Sequence, residues 1–575
     1  MTRRLTPIAS WLIWLTLAGV SGGLYALIAR LSSRFEYTRP FADRPIPEVV
    51  GLLAAAFAVY LLAASIAACR AVSRGQLGWI AGAALAYRLI LLPTTPIQEI
   101  DIYRYLWDGI VVNQGINPFR FPPQAVREAR FEDTADRQLA RLVQVRDADP
   151  HIRALLERIH YAELPSVYPP VSQAVFAAAA WTTPPRASIP QRALVLKLWL
   201  LAFDLATAGL VLLLLRDTGR PLGMFVLYAW CPLAIKEFSN SGHLDVIAVF
   251  LTTLAIWLAV RLASPVGSFQ ATEAGRIPRP HRTLGSRRGL ALASGLALAL
   301  AVGAKLYPIW LFPLFAAFIW RQLGGKWFCV TGAVCLAGGV GVLWPLLPAS
   351  ISREPAPPGA DRPAENGTAA VATADPSRGL RTFLTRWEMN DFLFMIVLEN
   401  VKPIDPQRSE PAPWFSLVPQ APREALISPL AERFAGDRWQ ASFFVVRLAS
   451  LLAALAVAAW CIQRAWRTLD ITVWLESAFL TLAWFWFLSP TLNPWYWTWM
   501  LPLLAFARSR VWWWTSGVLL VYYLRFWFSY QDSAAPLAGT PYVGTAFFDY
   551  VVTWFEFGPW LACLILDHAR RRPRS

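Results

Sequence analysis

The chain is 575 residues long, 56% hydrophobic and only 16% charged, whereas soluble proteins carry about 25% charged residues. That balance excludes one large soluble core and points to a polytopic membrane protein. The net charge of +16 raises nucleic acid as a partner, but the basic residues cluster in short segments between apolar runs, which fits retention beside anionic lipid headgroups instead.

A span needs about 20 mainly apolar residues, and short ones about 17. "MTRR" followed by the run 8–29 is long enough to span and is predicted as an uncleaved first helix rather than a signal peptide. Further runs follow at 47–69, 77–93, 166–182, 194–215, 221–238, 243–263, 289–305, 306–320, 327–347, 443–463, 470–488, 494–507, 511–529 and 547–566. Together they predict an all-α polytopic membrane protein with about 14 transmembrane helices plus a re-entrant segment. The 29 Trp residues fit membrane–water interfaces. The six Cys lie in or beside apolar runs without ligand spacing, so they indicate neither a disulfide framework nor a zinc site.

Arg3 and Arg4 place the N-terminus inside. Arg70 and Arg74 then fall inside, and the third span delivers "EIDIYRYLWDGIVVNQGINPFRF" (99–121) to the outside. Strict alternation would put the linker 264–288, with Arg276, Arg279, Arg282, Arg287 and Arg288, on the wrong side. The conflict disappears if 221–242 enters and leaves on one side. Its interior "CPLAIKEFSNSGHLD" holds Pro232, the Lys236–Glu237 pair and Gly242, none suited to a lipid-facing span. The division predicted is N-terminal spans over 1–93, a first large external loop over 94–165, a central bundle over 166–348, a second external loop over 349–442 and C-terminal spans over 443–575. The first half of that second loop is rich in Pro, Ala and Gly and is predicted disordered. Its second half, "LRTFLTRWEMNDFLFMIVLEN", is predicted helical at the interface.

On this map "EIDIYRYLWDG", "SVYPPVSQ", "KEFSNSGHLD", "KLYP", "WEMND" and "SPTLNPWYW" all reach the outer face. Residues 101–113 are predicted as a helix on the membrane surface. Asp101, Tyr105 and Asp108 share one side, Arg104 is spaced to pair with either acid, Gly115 stops the helix and Pro118 prevents its restart. An ordinary amphipathic helix with solvated acids has the same pattern. The position of Asp101 at the exit of a span adds partial desolvation, which suits a general base. Tyr168 and Gln173 can contact a sugar, or "VYPP" is simply a helix start. His243 and Asp245 suit hydrogen bonding to a polar substrate better than a metal, since one His with scattered carboxylates defines no ligand spacing. A divalent metal is therefore not indicated, and no cofactor is expected. Lys197 and Asp204 either pair or face a cavity. Lys236, Lys305 and Arg525 are the candidates for gripping a phosphate, with snorkelling the ordinary alternative for Lys305. Trp495 and its neighbours either stack on a sugar ring or belong to an aromatic girdle, and Asn390 contributes a further polar group. Soluble-site motifs such as a P-loop or HExxH are absent.

The stretches "DIYRYLWDGIVVNQGINPFRFPP" (101–123), "VYPPVSQ" (167–173), "GHLDVIAVF" (242–250), "KLYPIWLFP" (305–313), "RWEMNDFLF" (386–394) and "SPTLNPWYWTWMLP" (489–502) resemble, in order, the GT-C superfamily of membrane glycosyltransferases. The likeness is to bacterial polyprenol-phosphate-mannose-dependent α-mannosyltransferases. The resemblance implies a helical bundle with a large first external loop in a bacterial inner membrane. It implies a polyprenyl-phosphate sugar donor, a lipid or glycan acceptor, and Asp101 as catalytic base. Many relatives show two adjacent acids, whereas here Glu99 and Asp108 both stand as the partner. Inverting transfer then needs one base and no enzymic nucleophile. The rivals are a lipid-linked glycan flippase, which predicts inverted repeats and midplane polar sites, and an oligosaccharide ligase.

Overall fold

The computed structural model describes residues 6–263, 284–346, 376–405, 411–468, 470–531 and 535–571. Arg3, Arg4, most of the basic linker and the Pro-rich half of the second loop lie outside the described residues. Among the described residues every element is helical, and the one β-type pairing is an isolated parallel bridge between Met389 and Thr491.

Among the described residues seven helices are long and apolar enough to cross a membrane: Ile8–Phe35, Phe41–Cys69, Ile189–Asp217, Asp245–Ala263, Gly285–Ala304, Gly325–Leu346 and Arg438–Arg467. The chain is therefore a multi-pass membrane protein by length and composition. Ile471–Phe487 is a shorter apolar helix. Local signals set several starts: Thr6 caps the first helix, and Ser73 with Gln76 forms a capping box that opens Arg74–Leu91. The remaining apolar runs are short or broken. Run 221–238 divides into a 3-10 turn, two short α segments and a π-helical segment, Ile235–Ser241, which ends at left-handed Gly242. Run 494–507 is mostly 3-10 helix, with Pro494 and Pro502 at the starts of its segments, and run 511–529 alternates short 3-10 and α segments. These pieces are buried against neighbours, where irregular backbone is tolerated at membrane depth.

A buried ion pair ties three segments together. Arg88 Nε lies 2.5 Å from Asp204 Oδ2, Tyr228 donates to Asp204, and Arg88 also donates to the Ala229 carbonyl. Lys197 instead donates to the Thr94 carbonyl at 2.8 Å, so it and Asp204 do not pair.

The helix expected over 101–113 spans Asp101–Asn113, and Gly115 follows with φ +71°. Ile102 to Val111 are all buried within the protein, covered by neighbouring segments such as Pro170–Thr182, so its polar side faces protein rather than water. Gly109 lets it approach Pro170–Thr182 so closely that a Cβ there would run into the Phe176 carbonyl. The stretch predicted helical in the second loop is two helices, Arg378–Arg386 and Leu393–Val401. Between them Asn390 takes a left-handed φ of +51°, a conformation Asn tolerates.

Candidate active site

Five chain segments bring their polar side chains to one place. The loop after Arg74–Leu91 supplies Glu99, and Asp101 opens the helix that follows. Tyr168 precedes Pro170–Thr182, the π segment supplies Lys236 and Glu237, and the turn at Gly242 presents His243 and Asp245. Lys305 ends the helix Leu284–Ala304, and the 3-10 segment Pro494–Trp499 adds Trp495, Tyr496 and Trp499.

Asp101 is partly covered, and its carboxylate has no hydrogen-bond or ion-pair partner among the described residues. Four phenols, Tyr105, Tyr161, Tyr168 and Tyr496, lie within electrostatic reach of its charge. Burial pushes the Tyr105 and Tyr168 hydroxyls well above their ordinary range, and the neighbouring phenol and Asp101 add to this. Both therefore stay protonated and able to donate. The Tyr105 ring stacks on Phe176 at 4.8 Å and meets Tyr168 edge-on at the same distance, which fixes both hydroxyls.

Asp108 sits in a different environment. Its carboxylate accepts from Arg104 Nε at 2.8 Å, Ser166 Oγ at 2.5 Å and Gln173 Nε2 at 3.0 Å. Arg104 also donates to the Leu164 carbonyl. The Arg104 pairing, open from spacing, thus goes to Asp108. Together with Gln173 this network is buried beside the site and joins the Asp101 helix to the start of Pro170–Thr182.

Opposite lies a cationic corner. Asp245 Oδ1 accepts from Lys305 Nζ at 2.7 Å and Trp499 Nε1 at 2.6 Å. The Lys305 ammonium stands 4.3 Å from the Tyr496 ring centroid and is part-exposed. Lys236 is fully buried, 3.2 Å from Glu237 and 4.0 Å from the Tyr523 ring centroid. Arg525 is farther round the site, held by both oxygens of Asp549 at 2.8 and 2.9 Å. Asn390 is turned away, with its amide on the Leu492 carbonyl and Glu556. His243 stacks on Trp495 at 4.3 Å, so that indole face is occupied by the imidazole.

Burial holds the Glu99 carboxyl well above the usual range; Lys236 opposes this, while Glu237 and Asp101 reinforce it. Glu99 thus lies within electrostatic reach of Asp101, whereas the Asp108 carboxylate is taken up by Arg104, Ser166 and Gln173. Sequence reasoning offered Tyr496 only as a neighbour of Trp495 that could stack on a sugar, and assigned no site role to Glu237, Trp499 or Tyr161. Tyr496 and Trp499 were visible in the aromatic run 495–499, where a three-residue 3-10 repeat aligns them, and their rings stack at 4.6 Å. Tyr161, which feels both Asp101 and Arg525, carried no signal beyond its place in the loop.

No family model, no curated protein and no solved structure matches this chain.

Proposed function

We propose that the protein is an inverting GT-C-like glycosyltransferase that moves a sugar, mannose on the sequence resemblance, from a polyprenyl phosphate to a lipid or glycan acceptor. In this reading about 14 spans and the re-entrant segment 221–242 lie in a bacterial inner membrane, with the site facing outward. The observation that carries it is the contrast among the site's acids. Glu99, Asp108 and Asp245 are buried, and Asp108, Glu237 and Asp245 are bonded to neighbours, while Asp101 is accessible and unpartnered.

Asp101 takes the proton from an acceptor hydroxyl as that oxygen attacks the anomeric carbon. The C–O bond to the polyprenyl phosphate breaks on the opposite face, and its electron pair leaves with the phosphate. No acid need protonate that leaving group if a cation neutralises it. Lys305 is the cation best placed for this, because Lys236 is enclosed by Glu237 and Tyr523 and Arg525 is doubly bonded to Asp549. Tyr105, Tyr168 and Tyr496 supply hydroxyl donors and ring faces to a sugar.

Membranes incubated with radiolabelled polyprenyl-phosphate sugar test the reading. Asp101→Asn should lower transfer by about 10²–10⁴-fold, the contribution of a positioned general base. Full activity in that variant would reject the assignment of the base. Movement of label across the membrane without transfer would favour a flippase.

A further inference from the structure

Glu99, Glu237 and His243 form a second constellation that the transfer step leaves unused. Each is at most 7% exposed. His243 Nε2 lies 3.3 Å from Glu237 Oε2 and 3.6 Å from Glu99 Oε2. Nε2 makes no hydrogen bond, and His243 Nδ1 and Glu99 Oε1 are also without partners. Three buried donor atoms thus converge, with both carboxylates at ion-pair distance from one imidazole nitrogen. The two distances from Nε2 match the edges of a tetrahedron, which are about 3.3–3.6 Å when metal–ligand bonds are about 2.0–2.2 Å, and all three atoms lie within 4.8 Å of one another.

The supporting groups fit the same purpose. Glu237 Oε1 accepts from the Tyr523 hydroxyl and is the oxygen nearer Lys236, which turns Oε2 toward His243. The imidazole is fixed by its stack on Trp495 and by its backbone N–H, which donates to the Glu237 carbonyl at 3.0 Å. Glu99 follows Gln98, a non-glycine residue at φ +58° whose side chain accepts from Arg44. Such a left-handed residue is strained and persists where surrounding contacts hold it.

We propose that Glu99, Glu237 and His243 bind one divalent transition-metal ion of the zinc or manganese class. Imidazole with two carboxylates suits these ions, whereas magnesium and calcium favour all-oxygen shells. Three protein ligands leave a coordination position open to water or a substrate oxygen. The two carboxylates and Lys236 sum to −1, so the ion brings the corner to +1. The proposal stands independently of the transferase reading.

The full-length chain, purified in detergent and stripped with chelator, is re-equilibrated with Zn²⁺ or Mn²⁺ alone. Elemental analysis should find one ion per chain, and the melting temperature should rise on loading. Pulsed electron paramagnetic resonance of the Mn²⁺ form should show nitrogen coupling from one imidazole. His243→Ala should abolish that coupling and lower affinity at least 100-fold. Tyr523→Phe, which keeps the ring and loses only the hydroxyl holding Glu237, should weaken binding about 10–100-fold. His160→Ala, an exposed histidine of the first loop, should change nothing. Ion content well below one per chain would overturn the site. So would unchanged affinity in both His243→Ala and Tyr523→Phe, or a Mn²⁺ signal without nitrogen coupling.

Discussion

Asp101 and Asp108 share one helix, yet their surroundings give them opposite chemistry. Asp108 accepts three side-chain hydrogen bonds and neutralises a guanidinium that is 9% exposed. Asp101 receives none. Removing Asp108 leaves Arg104 a buried charge without a counter-ion, which costs about 3–5 kcal/mol. Asp108→Ala should therefore lower the melting temperature of the purified protein sharply. Asp108→Asn, which retains an acceptor for Ser166 and Gln173, should lower it less. A melting temperature unchanged in Asp108→Ala would remove the network from any structural role. Both acids were legible in the sequence, as was their spacing to Arg104. The choice between them was not, because Ser166 and Gln173 reach Asp108 from a separate segment.

The Asp101 helix is placed by its contact with Pro170–Thr182, and the closest approach is at Gly109. Gly109→Ala forces the two backbones apart. Overpacking of this kind costs about 1–3 kcal/mol, and more where backbone rather than a flexible side chain must yield. The variant should lose stability in a melt and, as Asp101 shifts, at least tenfold in transfer. Gly78→Ala, in a helix where a Cβ meets nothing within 4 Å, should hold or slightly gain stability. Equal behaviour of the two variants would sink this account. Long apolar helices such as Ile189–Asp217 were legible from hydropathy, as was the stop at Gly115. That neighbouring segments cover the Asp101 helix was not legible. Its pattern looked amphipathic because its polar residues bond inward rather than face water.

Across the whole molecule, the second loop packs onto the C-terminal segments through the Met389–Thr491 bridge and a cluster of ionisable groups. Burial raises Glu388 from an ordinary 4.5 to about 7, with Lys402 and Arg525 opposing and Glu399 and Asp549 adding. Asp391, buried beside it, is shifted the same way. A carboxyl raised on folding contributes stability that is complete below pH 4.5 and is lost as pH rises through about 7. The melting temperature should therefore fall between about pH 4.5 and pH 7, by a degree or two on the order expected for a chain of this size, and level off above that. Glu388→Gln should flatten that fall, and an unchanged slope would place the titration elsewhere. The sequence by itself determined that this is an all-helical multi-pass membrane protein, because apolar runs long enough to span are set by local composition. It also marked most of the polar residues that converge, because charge inside apolar chain stands out without any structure. Tertiary structure alone decided which acid is bonded and which is free, which runs break into 3-10 and π segments, and that Glu99, Glu237 and His243 meet. Those outcomes depend on contacts between residues far apart along the chain, and hydropathy and spacing describe only neighbours.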